Sequence, residues 1–189
     1  MVSAINGGTN MDAEIRALLD KQACTELVYR FARGLDRCDE ALIRSVFHSD
    51  ATDDHGGFKG DVDAFVAWVM PVLATMERTQ HVIGNVLVTV AGDEAWAESY
   101  FVAYHDMADA HGADIRMTVA GRYLDRFARR GGEWRIAHRQ FVSDWSASEP
   151  RSDVWNREEA KGRHFGSRSH DDPSYAHGPK AAAHVAVAA

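Results

Sequence analysis

The chain has 189 residues, 46% of them hydrophobic and 26% charged, enough to bury one sizeable core and too apolar for a disordered segment. Its net charge is -7 and its Lys and Arg are scattered, which excludes the concentrated basic face that nucleic-acid phosphates require; no apolar run approaches the roughly 20 residues of a membrane span. Cys24 and Cys38 are the only cysteines and lack CxxC spacing, so no disulfide scaffold is expected, and residues 1–10 lack a basic start and an apolar run, so the expected location is cytoplasmic.

Residues 1–11 are small and polar and read as a disordered leader, 12–146 as one domain, and 147–189 as a partly disordered C-terminal extension. From Asp12 to about Asp36, Ile15, Leu19, Ala23, Leu27, Phe31 and Leu35 recur every four residues, the apolar face of a helix. Asp39 is a candidate N-cap for a short helix that turns Leu42, Ile43, Val46 and Phe47 inward. Ala51 to His55 reads as a short strand ended by Gly56-Gly57. Asp61 then caps a helix to about Met76, with Pro71 expected to kink or split it. Four strand-like segments follow, at about 80–90, 95–106, 115–128 and 133–145, with hairpin signals at Ala91-Gly92-Asp93 and Arg130-Gly131-Gly132. Helices followed by a strand meander predict an α+β fold, a curved antiparallel sheet wrapped around an N-terminal helical layer. Such a cone-shaped roll encloses a cavity suited to a small molecule.

The stretch Arg78-Thr79-Gln80-His81-Val82-Ile83-Gly84-Asn85 puts a histidine at the start of a strand just after an apolar helix. With Tyr29-Arg30-Phe31-Ala32-Arg33-Gly34-Leu35-Asp36 closing the first helix and Glu133-Trp134-Arg135-Ile136-Ala137-His138-Arg139 in the last strand, the chain resembles the SnoaL-like branch of the nuclear transport factor 2-like superfamily, over about 12–145. Its motifs are similar to those of scytalone dehydratase and hexachlorocyclohexane dehydrochlorinase, lyases that need no cofactor. The resemblance implies that Asp36 pairs with a catalytic His81, that Arg139 is a pocket arginine and that His105 falls near a second pocket histidine. Gly121 and Tyr123 stand where the dehydratase has a serine and an asparagine, so substrate identity does not transfer.

Chemically, an imidazole at His81 suits a general base at neutral pH, and a carboxylate at Asp36 would fix its tautomer. The alternative is a structural histidine at a strand end. Tyr29, seven residues before Asp36, shares its helix face and could donate to a substrate oxygen or sit at the core edge. His105 has the strand parity of Phe101 and Ala103, pointing inward as a candidate acid, unless it belongs to the loop that follows. Asp54 and His55 form another candidate pair or simply a turn. Simple alternation sets Arg139 opposite Trp134 and Ile136, so it enters the cavity only if a bulge near Ala137 or His138 shifts the phase; otherwise it is a surface arginine.

No HExxH motif, paired Cys and His, GxGxxG or P-loop is present, so no metal and no cofactor are expected. The leading expectation is a cofactor-independent lyase or isomerase acting on a small cyclic, mostly apolar substrate. The alternative is a non-catalytic ligand-binding or interaction domain of the same fold. A small-molecule substrate and a homo-oligomer, dimer or trimer, are the expected partners. The extension, with a helical candidate at Val154 to Lys161 and Trp155, Phe165 and Tyr175 to bury, is expected over the sheet or across a subunit boundary.

Overall fold

The computed structural model describes residues 7–153 and 156–177. Helix α1 (Gly7–Arg37) leads through α2 (Glu40–Ser45) to strands β1 (Phe47–Asp54) and β2 (Lys59–Asp61), then to helix α3 (Val62–Ala74). The long strands β3 (Arg78–Ala91), β4 (Glu94–Ala108), β5 (Asp114–Arg130) and β6 (Glu133–Pro150) complete the domain. The fold is α+β, a curved six-stranded sheet in the order β2-β1-β6-β5-β4-β3 with the N-terminal helices against it.

Both predicted N-caps form, because a short carboxylate just before a helix accepts an otherwise orphaned amide: Asp39 accepts from Leu42 N and Asp61 from Ala64 N. Pro71 does not split α3, which runs on through it to Ala74; it lies in the last turns, where few hydrogen bonds remain to be lost. Gly131 and Gly132 both take positive φ, +60° and +87°, in the two-residue turn between β5 and β6, which side chains with a Cβ would strain.

Two features depart from a pure antiparallel meander. The three-residue β2 was not expected, and β1 pairs with β6 in parallel, bringing the first strand beside the last. Register shifts at Ile83/Val86, Ala120/Gly121 and Arg126/Phe127 bend the long strands. At the second of these Gly121 is required by space, since an added Cβ would lie 2.3 Å from Val142 O.

The core is centred on Phe31, whose ring meets Phe47 and Tyr123 edge-on and stacks on Phe65, with centroids 5.7, 5.7 and 6.0 Å away. Only the second half of the α1 stripe is buried. Leu27, Phe31 and Leu35 pack inside, whereas Ile15 and Leu19 are exposed together with Met11 and Leu18. A helix of 31 residues is about 46 Å long, and its first turns outrun the sheet. That helix begins at Gly7, so 7–11 are helical; the rest of the expected leader, 1–6, and the last part of the expected extension, 178–189, lie outside the described residues. Among the described residues no helix is long and apolar enough to cross a membrane.

The extension docks on the helices rather than on the sheet's outer face. Tyr175 donates to Asp39 (2.7 Å), Arg37 pairs with Asp172 (2.9 Å), and Arg33 lies over the Tyr175 ring. Turns, not a helix, occupy 157–162, and Phe165 is half-buried beneath Arg157. Val154 and Trp155 lie outside the described residues.

Candidate active site

Helix α1 ends where β3 begins, and this junction builds the site. Asp36, in the last turn of α1, is 7% exposed and fully engaged. His81 Nδ1 donates to its Oδ1 at 2.8 Å, the His81 main-chain amide to its Oδ2 at 2.9 Å, and Thr79 Oγ1 to its Oδ1 at 2.9 Å. A carboxylate near a helix C-terminus meets an unfavourable dipole, so three donors are what make the position tenable. Burial alone would raise its pKa, but the hydrogen bonds and charge of His81, then Thr79, hold it below the ordinary carboxylate range.

With Nδ1 occupied, the neutral His81 ring keeps its proton on that nitrogen and leaves Nε2 as an acceptor. The ring stands edge-on to His105 at 5.5 Å and 6.3 Å from Phe101, between centroids. His105 does face inward, 8% exposed, with Nδ1 donating to Met117 O at 3.3 Å. Burial, then repulsion from His81, lowers its pKa from 6.5 to about 4. It is therefore neutral in the fold at neutral pH, and a proton reaches it more readily in the unfolded chain. Its contribution to stability is intact above pH 6.5 and is lost as the pH falls from 6.5 to 4, with the Asp36 contribution lost further below. Urea unfolding should show about 2 kcal/mol less stability at pH 5 than at pH 7 from His105 alone, and His105→Gln should remove that share of the slope. An unchanged slope in the variant would contradict it.

The other expected residues are distributed differently. Tyr29 shares a shallow groove with Ala32, Asp36 and His81, but it is 46% exposed and lies on its open side. Arg139 faces inward because Ala137 forms the bulge that the sequence required: His138 pairs with Arg126, and Ile136 with Phe127. It is not beside His81. It is wholly buried, bonded through Nε and Nη2 to Asp125 at 2.7 Å each, and held between the rings of Phe31 (4.0 Å) and Tyr123 (4.2 Å). Burial opposes its charge, but Asp125 outweighs that and holds its pKa above the ordinary value. Asp54 and His55 do not pair: Asp54 turns outward to Lys59 (3.2 Å) and the Gly56 amide, as a turn residue does. His55 turns inward, donating from Nδ1 to Asp53 Oδ1 at 3.0 Å and stacking on Phe141.

Beside His81 opens a cleft of about 920 Å³ whose rim is more polar than expected, with Arg37, Arg78, Arg116 and Arg168 facing Asp36, Glu77 and Asp106. Arg168, from the extension, donates to the carbonyls of Leu73 (2.7 Å), Met76 (2.6 Å), Leu35 and Asp36 (3.4 Å each), so it ties the ends of α1 and α3 together over the site. Among the described residues no group of three or more His, Cys, Asp or Glu side chains converges to hold a metal ion. The sequence reading missed Thr79, Asp53, Asp125 and Arg168. Thr79 carried a signal, because it lies two residues before His81 on one strand face; Arg168 carried none.

A small α+β cone with a buried histidine–aspartate pair at its mouth defines the class. The chain belongs to the SnoaL-like domain family, whose model matches residues 16–140. Among solved structures it is similar to a hexachlorocyclohexane dehydrochlorinase (LinA) Type2, at 17% identity, covering 76% of this chain and 98% of that one, with a TM-score of 0.67. It is also similar to a scytalone dehydratase-like protein from Novosphingobium aromaticivorans (18% identity, 78% and 97% covered, TM-score 0.61) and to the Kfla4162 protein from Kribbella flavida (22%, 69% and 95%, 0.63). At these identities the likeness is one of fold. No protein of curated function gives a significant sequence match.

Proposed function

We propose that the protein is a cofactor-independent lyase or isomerase acting on a small cyclic molecule, with His81 as the base. The observation that carries this reading is the two-point hold of Asp36 on His81, through both the ring Nδ1 and the main-chain amide. A hold of that kind fixes the tautomer and the ring orientation, and the carboxylate stabilises the imidazolium formed when Nε2 removes a proton beside a leaving group or a carbonyl. His105, neutral and edge-on to His81, is the candidate partner for the departing hydroxyl or the enolising oxygen. Tyr29 is a contact at the groove's open side, and Arg139, buried on Asp125, takes no part in the proton transfer. The dehydrochlorinase and dehydratase-like neighbours support the same class of chemistry. The test is a screen of the purified protein against halogenated and hydroxylated cyclic compounds, read by halide or water release, with His81→Gln alongside. Turnover that is lost in the variant is expected; turnover that survives it would overturn the assignment.

The same reading includes a homo-oligomer. Val82, Leu87, Trp96, Tyr100, Tyr104 and Trp145 are 39–62% exposed on the convex side of the sheet, apolar side chains that a second copy would cover. Light scattering should give a dimer or trimer, and Leu87→Lys with Trp96→Lys should yield a monomer; a monomeric wild-type chain would refute this.

A further inference from the structure

Asp36 and His81 reach each other from two separate stretches of chain, the last turn of α1 and the strand that follows α3, and one side chain outside both stretches holds them together. Arg168 donates through Nη1 to Leu73 O, in the last turn of α3, and to Met76 O, just before β3; through Nη2 and Nε it donates to Leu35 O and Asp36 O, in the last turn of α1. Helix C-termini leave such carbonyls without intrahelical partners, and a guanidinium, with five N–H groups in a planar fork, can serve two ends at once. All four of these bonds go to main-chain oxygens rather than to a carboxylate. The presentation of Arg168 is built as well: Asp172 accepts from the Ser167 amide at 2.8 Å and from Arg37 Nη1 at 2.9 Å, and Arg37 Nη1 donates to Ser167 O at 2.6 Å. The turn that carries Arg168 therefore grips the residue next to Asp36. Asp36 is fixed from both sides, its carboxylate by Thr79 and His81 and its carbonyl by the extension. Residues 167–172 lie beyond 16–140, the part that the family model matches, so the clamp belongs to this chain's own extension. The same guanidinium lines the cleft beside His81.

We propose that Arg168 is a positioning residue for the base: by bonding the main chain on both sides of the α1–β3 junction, it keeps the Asp36 carboxylate seated on His81. This role rests on the lyase or isomerase reading, to which it adds that the extension is a working part of the active site. The physical ground is local opening. A helix end whose carbonyls lack partners frays, and each time the last turn of α1 opens, Asp36 leaves both the ring and the amide of His81. That seat has its own reporter, because the His81 amide, on the edge strand β3, is held by Asp36 Oδ2 at 2.9 Å. Lysine is not a substitute at 168, since an ammonium is a compact charge that satisfies one helix end and cannot span two.

The test is amide hydrogen exchange on the full chain, wild type against Arg168→Gln and Arg168→Lys. The amide of Tyr123, which pairs with Ser99 of β4 and Phe141 of β5's other neighbour, β6, measures the whole fold. In Arg168→Gln, exchange at His81 should speed up by about tenfold relative to Tyr123, the order expected when hydrogen bonds from a charged group are lost at one junction. Arg168→Lys should lie within about threefold of Arg168→Gln, and it decides alone should Arg168→Gln not fold. On a substrate found by the screen for halide or water release, kcat should fall by about three- to tenfold with KM unchanged within about twofold. Exchange that changes equally at His81 and Tyr123 would make Arg168 a stabiliser of the whole fold and overturn the proposal. So would wild-type protection in Arg168→Lys, or a raised KM with kcat unchanged. A His81 seat that depends on Arg168 in a protein without turnover would refute the lyase or isomerase reading alone, and His81-dependent turnover with unmoved exchange would refute the role of Arg168 alone.

Discussion

Asp125→Ala should destabilise the domain by roughly 3–5 kcal/mol in urea unfolding at pH 7, the effect of removing one partner of a buried ion pair, since neighbouring Asp53 makes no hydrogen bond to Arg139. Arg139 is 0% exposed and both of its carboxylate bonds go to Asp125. A guanidinium cannot shed its proton to escape, unlike a buried lysine. The faces of Phe31 and Tyr123 remain after the substitution, but cation–π contacts return only about 1–2 kcal/mol of that loss. The double variant Asp125→Leu with Arg139→Met should recover much of the stability, since what destabilises the single variant is the orphaned charge rather than the missing pair. A loss below about 1 kcal/mol in Asp125→Ala would mean that the pair does not hold the sheet's concave face as described.

The second large effect falls on turnover. His81→Gln should lower kcat by about 10²–10⁴ on any authentic substrate, the usual span for loss of a general base. Asp36→Asn should cost almost as much, because the amide can present its nitrogen to the ring and favour the wrong tautomer. It should also loosen the junction of α1 and β3, where the same side chain accepts from the His81 amide and Thr79. Stability and kcat measured on one sample separate these losses: the fold should weaken by about 1–3 kcal/mol, far less than activity does on the same logarithmic scale.

Much of this architecture was legible because local chemistry dictated it. Asp39 and Asp61 announced their helices by being capping residues before apolar runs, and Gly131-Gly132 announced a hairpin by needing no Cβ. The parallel β1–β6 pair was not legible, since it joins segments far apart in sequence whose residues show ordinary alternation. β2 is too short, at three residues, to show any period. The exposure of the start of α1 was not legible, because a stripe of Ile15 and Leu19 says that a helix has an apolar face, not that something covers it.

The site divides along the same line. His81 and Asp36 could be matched from motif and helix phase, and the bulge needed to turn Arg139 inward followed from Trp134 and Ile136 competing for the same face. What Arg139 meets there could not be read, because Asp125 sits on a neighbouring strand and nothing in its own surroundings marks it. Asp54 drew attention for its place beside His55, yet strand parity puts Asp53 on the inner face and Asp54 on the outer. Arg168 reaches the helix ends from a polar tail with no pattern of its own.

The most direct test of the central claim needs no substrate: nitrogen-15 NMR of the imidazole rings, with His81→Gln used to assign the resonances. Asp36 should hold the neutral His81 ring with its proton on Nδ1 and a bare Nε2 ready to accept, and Asp36→Asn should abolish that bias. A neutral ring protonated on Nε2, or a tautomer indifferent to the loss of the carboxylate, would contradict the account.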